Sequence, residues 1–134
     1  MNWEYISGFF DADGCITLTS THSGKNKTIQ VSFHNNELEI LQQIQDFIFS
    51  ELNVKGHISL KKAKKENHND SYDLKYVYQN GLKVANMLNS KHPKKKRKIE
   101  IYNLIQNITK RNGKYSEQEI LERNNLEILF FQNI

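Results

Sequence analysis

Two aspartates one residue apart, Asp11 and Asp13, close the segment Ile6-Ser7-Gly8-Phe9-Phe10-Asp11-Ala12-Asp13-Gly14. The residues before them read as a helix. Asn2 can cap it, Glu4 sits in the first turn, and Trp3, Tyr5, Ile6, Phe9 and Phe10 are its large apolar residues. A helix C-terminus carries partial negative charge, so two acids there are in electrostatic conflict unless a cation meets them. Carboxylate, carbonyl and water oxygens suit Mg²⁺. Ser7 and Gly8 are small enough for a second backbone to approach, so the helix can pair with a copy of itself and set two acidic ends side by side. The alternative is local: Asp-Ala-Asp-Gly also suits a hydrogen-bonded turn between a helix and a strand. Residue types alone leave both open.

The elements that position these acids follow from periodicity. Gly14 suits the left-handed position that ends a helix. Beyond it Ile16 and Leu18 alternate with Thr17, Thr19 and Thr21, and after a polar turn at 22–27 Ile29, Val31 and Phe33 alternate with Gln30 and Ser32. That is a hairpin with one apolar face. Leu38, Leu41, Ile44, Phe47 and Ile48 predict a helix from about 37 to 52. Residues 56–62 alternate again, with Ile58 and Leu60 on the core side, and a charged loop at 62–71 leads to a fourth strand over 72–78. A short helix over 82–88 ends at His92 and Pro93. The basic run 94–98 leads into a helix through Ile101, Leu104, Ile105 and Ile108, and a turn at 111–114 contains Gly113. Ser116 and Glu119 form the capping box of a last helix through Leu121, Leu126 and Phe130. The order predicts one α+β domain over 1–134 with an antiparallel sheet.

At 134 residues the chain has the length of one ordinary domain. Its single cysteine, Cys15, excludes an intramolecular disulfide and any zinc-type cysteine spacing. No run of about 18 apolar residues occurs and no signal peptide is visible, so a soluble intracellular protein without a membrane span is expected. A net charge of +4 and a pI near 9.1 favour a polyanionic partner. The abundance of Asn, Lys and Ile fits an AT-rich coding genome, whether organellar, phage or bacterial.

Tyr5 to Gly14 resembles the motif that names the LAGLIDADG family of homing endonucleases. Gly8, Asp11, Ala12, Asp13 and Gly14 match it, Phe9 and Phe10 are aromatic replacements, and Ser7 stands where Ala is usual. The predicted order of helix, two strands, helix, two strands and helices also resembles the family. The resemblance implies a curved four-stranded sheet used as a DNA-binding saddle. With one motif present, it implies a homodimer joined through the motif helix, with Ser7, Gly8, Phe9, Phe10 and Asp11 at the interface. It implies hydrolysis of phosphodiester bonds in a long, near-palindromic DNA site with Mg²⁺ or Mn²⁺. Asp13 would bind the metal, with the carbonyl of Ala12 as a further ligand. Asn35 stands where the family often places Gln, although it also fits a helix cap before Glu37. A basic residue expected before a late helix matches Lys96 or Lys94 in the run 94–98, which reads equally as a general phosphate-binding patch. Relatives are often encoded within introns. Some bind without cutting, as maturases on intron RNA or as DNA-binding regulators, and those are expected to lose the acids that this chain retains.

Alternation assigns the sheet's faces. Cys15, Thr17, Thr19, Thr21, Gln30, Ser32, His57, Ser59, Lys61, Asp73 and Lys75 fall on the face away from the core, as candidate DNA contacts. A sheet without this role would also place threonine outside, for its strand propensity. The histidines are scattered on polar segments, and no Ser–His–acid set is evident. His34 adjoins the expected active site.

Overall fold

In the computed structural model, Asn2 Oδ1 accepts the Tyr5 N–H at 2.8 Å and starts helix α1 (Trp3–Asp13) by meeting one of the donors that a helix start leaves open. The structure describes residues 1–20, 27–66, 69–109 and 114–132. Thr21, His22, His68, Gly113 and the greater part of the turns expected at 22–27 and 111–114 lie outside the described residues. Strand β1 (Gly14–Ser20) follows α1 directly and pairs antiparallel with β2 (Lys27–Asn35). Helix α2 (Leu38–Leu52) ends on Asn53 at φ 56°, a left-handed position that asparagine tolerates. Strands β3 (His57–Lys61) and β4 (Ser71–Val77) complete one sheet in the order β1-β2-β4-β3, with every neighbouring pair antiparallel. Helix α3 (Tyr78–Met87) follows β4 without a loop.

The described residues fall into two compact units. The first, Met1–Lys91, holds the sheet and α1 to α3, which pack on its inner face. Ile6 and Phe10 of α1, Leu41, Ile44 and Ile48 of α2 and Val84 of α3 are fully buried, as are Ile29, Val31, Phe33 and Leu74 of the sheet. Phe33 sits among aromatics, edge-on to Phe10 at 6.0 Å and to Tyr76 at 6.4 Å between centroids. The second unit, His92–Ile134, is a pair of packed helices, α4 (Pro93–Asn107) and α5 (Glu117–Phe131). The Ser116–Glu119 capping box opens α5 as expected. Within this unit buried Arg123 donates to Thr109 Oγ1 and pairs with Glu127, and the Lys98 ammonium lies 5.2 Å from the centre of the Phe130 ring.

Four local expectations are corrected. Gly14 is extended rather than left-handed (φ −104°, ψ 169°). Glycine is needed there because an added Cβ would fall on the Phe10 ring and 2.6 Å from its carbonyl oxygen. Leu60, expected in the core, is 49% exposed, since β3 is a short edge strand. The third helix begins at Tyr78, earlier than the apolar pattern suggests, because Tyr78 takes φ 55° and turns the chain straight from strand into helix. The basic run 94–98 is the opening of α4 itself, with Pro93 at its first position, where a proline lacks no useful donor.

Candidate functional site

The two acids of α1 have different surroundings. Asp11 is half-buried, and its carboxylate accepts the Ser90 hydroxyl at 2.5 Å and the Lys91 N–H at 2.6 Å. Both donors lie in the segment after α3, so Asp11 ties the end of α1 to that segment. Asp13 is exposed, and no described residue hydrogen-bonds or pairs with its side chain. Ala12 is exposed beside it. The last turn of α1 contains no basic residue, and the last carbonyls of a helix have no partners within it. The end of α1 is therefore an open, electronegative surface. The conflict between two adjacent acids is half resolved by donors, at Asp11, and half unresolved, at Asp13.

Asn35 ends β2, and its Oδ1 accepts the Glu37 N–H at 2.8 Å, shaping the turn into α2. Glu37, not Asn35, occupies the cap position of α2, and it caps without a side-chain hydrogen bond. Because Gly14 pairs with Phe33, Asp13 and Asn35 emerge at the same end of the β1–β2 ladder.

The expected interface residues divide between two faces of α1. Ser7 and Phe10 are buried within their own chain: the Ser7 hydroxyl accepts the Asn89 N–H at 2.9 Å, and Phe10 packs on Phe33. Phe10 therefore anchors this chain's own core. The open face carries Tyr5, Gly8 and Ala12, with Phe9 half-buried at its border. A Cβ added at Gly8 would meet nothing within 4 Å.

On the outer face of the sheet the register builds rungs. Cys15, Ser32, Lys75 and His57 share one, Thr17, Gln30 and Val77 the next, and His34, Asp73 and Ser59 another. Thr19 and Lys61 lie further along β1 and β3, the Thr19 hydroxyl donating to the Thr28 carbonyl at 3.5 Å. Cys15, His57 and Lys61 are exposed; Thr17, Thr19, Gln30, Ser59 and Lys75 are half-buried. Ser32 and Asp73 occupy the expected face but are covered, at 4% and 7% exposure. Their cover is His34, whose Nδ1 hydrogen-bonds Asp73 Oδ1 and whose Nε2 lies 3.2 Å from Ser32 Oγ. Hydrogen bonding to Cys15 raises the His34 pKa; burial opposes, and hydrogen bonding to Asp73 and its charge raise it further, leaving it above the ordinary 6.5. Sequence reasoning missed this Ser–His–Asp cluster. His34 and Asp73 are far apart along the chain, and only the β2–β4 register reveals their contact. Ser32 is too buried to serve as a nucleophile.

Lys94 and Lys96 lie on the first turns of α4, in the second unit, with Lys96 exposed and Lys94 half-buried. Among the described residues, no three His, Cys, Asp or Glu side chains are grouped to hold a metal ion. The Asp13 carboxylate with neighbouring carbonyls instead fits the way Mg²⁺ is commonly held, by one or two carboxylates with the remaining positions taken by water and substrate phosphate. No described helix is long and apolar enough to cross a membrane.

A family model described as a LAGLIDADG-like domain matches residues 2–131. No curated protein matches the sequence. Among solved structures, the archaeal intron-encoded homing endonuclease I-Vdi141I complexed with DNA is similar at TM-score 0.66 and 22% identity, over 95% of this chain and 80% of that one. The LAGLIDADG meganuclease I-AabMI bound to uncleaved DNA is similar at TM-score 0.63 and 19% identity, over 95% of this chain and 44% of that one. The LAGLIDADG homing endonuclease I-GzeII in complex with its DNA target is similar at TM-score 0.68 and 13% identity, over 98% and 45%. At these identities the likeness shows the fold. The chain spans about half the length of the latter two.

Proposed function

The chain belongs to the LAGLIDADG-like domain family, and from that membership we propose that it is a site-specific double-strand DNA endonuclease of the homing type. It acts as a homodimer, with Mg²⁺ or Mn²⁺, on a long near-palindromic site. The family match across 2–131 supports treating the whole chain as one functional domain. The observation that carries the reading is the open Asp13 carboxylate beside the sealed Asp11: one acid is structural and the other is free to work.

Asp13 and the carbonyl of Ala12 would hold the divalent ion. The ion, when bound, lowers the pKa of an attacking water and stabilises charge on the leaving oxygen. Asp13 orients and retains it. Asn35, whose amide oxygen accepts from the turn, presents its amide nitrogen at the same end of the β1–β2 ladder, where it would donate to the substrate or the attacking water. Lys96, or alternatively Lys94, offsets phosphate charge, while the rest of the run holds the DNA backbone without regard to sequence. The outer sheet face lies along the major groove, where Gln30, Thr17, Lys75 and Lys61 offer donors and acceptors for base edges. The open face of α1 meets its copy in a second chain. Gly8 and Ala12 permit close approach, so each copy brings one Asp13 to one DNA strand.

The test is incubation of the purified protein and Mg²⁺ with a randomised DNA library, with Asp13→Asn as the control. Discrete near-palindromic cut sites that vanish with the variant are expected. Selective binding without cuts in the unaltered protein would replace this reading with a binding-only role, on DNA as a regulator or on intron RNA as a maturase.

A further inference from the structure

We propose that His34, held against Asp73, is a DNA contact of the sheet that takes up a proton when a duplex binds. The proposal rests on the outer face of the sheet meeting DNA. Asp73 is an anomaly on such a face. A buried carboxylate requires a partner, and beside phosphates an unneutralised one repels. Its partner is His34 Nδ1, and the other ring nitrogen lies 3.2 Å from Ser32 Oγ. A charged imidazolium donates to both at once, whereas the neutral ring carries a single N–H. The Asp73 side chain is 10% exposed and that of His34 is 41% exposed. An approaching duplex therefore meets the ring, with the carboxylate behind it.

The groups facing the ring come from three strands. Asp73 of β4 touches it, and Cys15 of β1, Lys75 of β4 and His57 of β3 lie one rung away. Cys15 and Asp73 already tilt the ring toward its charged form. A duplex adds phosphate charge of the same sense as Asp73, which tilts it further. Binding and protonation then reinforce each other, and affinity falls as the pH rises through the range where the free protein has lost the proton and the complex still holds it.

The experiment is a fluorescence-anisotropy titration with a mixed-sequence duplex, without divalent ions and at fixed ionic strength, from about pH 6 to pH 8.5. The unaltered protein should lose affinity with rising pH, approaching about tenfold per pH unit within that range. His34→Gln should lose the His34 share of this slope, whereas Lys61→Gln should weaken binding and keep it. A second measurement does not depend on a variant folding well: an NMR titration of the His34 ring in the unaltered protein should show a higher midpoint with duplex than without. Equal midpoints, or the same slope in His34→Gln, would overturn the proposal. Duplex binding with a flat pH profile would overturn it and leave the endonuclease reading intact. Failure to bind a duplex at any pH would remove both.

Discussion

Gly14 lies directly opposite Phe33 in the β1–β2 ladder. That one pairing places Asp13, the last residue of α1, and Asn35, the last residue of β2, at the same end of the sheet. It holds because glycine at 14 leaves room for the Phe10 ring, which packs edge-on against Phe33 beneath the sheet. Core packing therefore fixes the position of residues that themselves make few contacts.

Asp11 and Asp13 should respond oppositely to substitution. Asp13→Asn should abolish cleavage while shifting stability by less than about 0.5 kcal/mol, because the residue is exposed and has no hydrogen-bond partner among the described residues. Asp11→Ala should cost about 1–3 kcal/mol, since it strands the Ser90 hydroxyl and the Lys91 N–H. Thermal melts with a cleavage assay separate the two, and a catalytically competent Asp13→Asn enzyme would end its assignment as metal ligand.

Gly8→Glu tests the open face of α1. The added Cβ meets nothing in the protomer, and glycine is a poor helix former, so the fold should be retained or slightly stabilised. In the proposed dimer, two copies would bring two new anions together and dissociate it. Sedimentation should give a dimer for the unaltered chain and a monomer for the variant; a variant that dimerises as tightly as the parent would move the interface elsewhere.

The basic run offers a choice between chemistry and affinity. Lys96→Ala should reduce the single-turnover cutting rate about a hundredfold at saturating enzyme, the scale of removing one charge-stabilising donor. Lys94→Ala should mainly lower the salt dependence of binding by about one unit of slope. The reverse pattern would exchange the two roles, and equal effects on binding with none on rate would make the run a phosphate patch alone.

The His34–Asp73 pair should also appear in stability. A histidine with a raised pKa in the folded state contributes stability that is complete below its ordinary value of 6.5 and is lost as the pH climbs through the folded value. Tm should therefore lose this contribution as the pH rises above 6.5, and His34→Gln should be less stable at pH 6 and lack that component. An identical pH profile in parent and variant would contradict the link.

The helices and strands, the antiparallel sheet and its inner face were legible in the residues, because alternating and helical periodicities mark which side of each element is buried. Asp11-Ala12-Asp13-Gly14 likewise marked the end of α1, as a helix ending in two acids before a strand. Periodicity does not say how residues on one face divide their contacts. Ser7 and Phe10 looked like partners for a second chain, yet Asn89 and Phe33 of the same chain occupy them. The resemblance assigned Asp13 to the metal and Asp11 to the interface, but residue types could not show that the segment after α3 donates to Asp11. Ser32, His34 and Asp73 became a cluster only when β4 entered beside β2, in a register that depends on long-range pairing. Local pattern encodes what each element buries, while strand order and helix placement decide which polar groups are satisfied and which stay open to act.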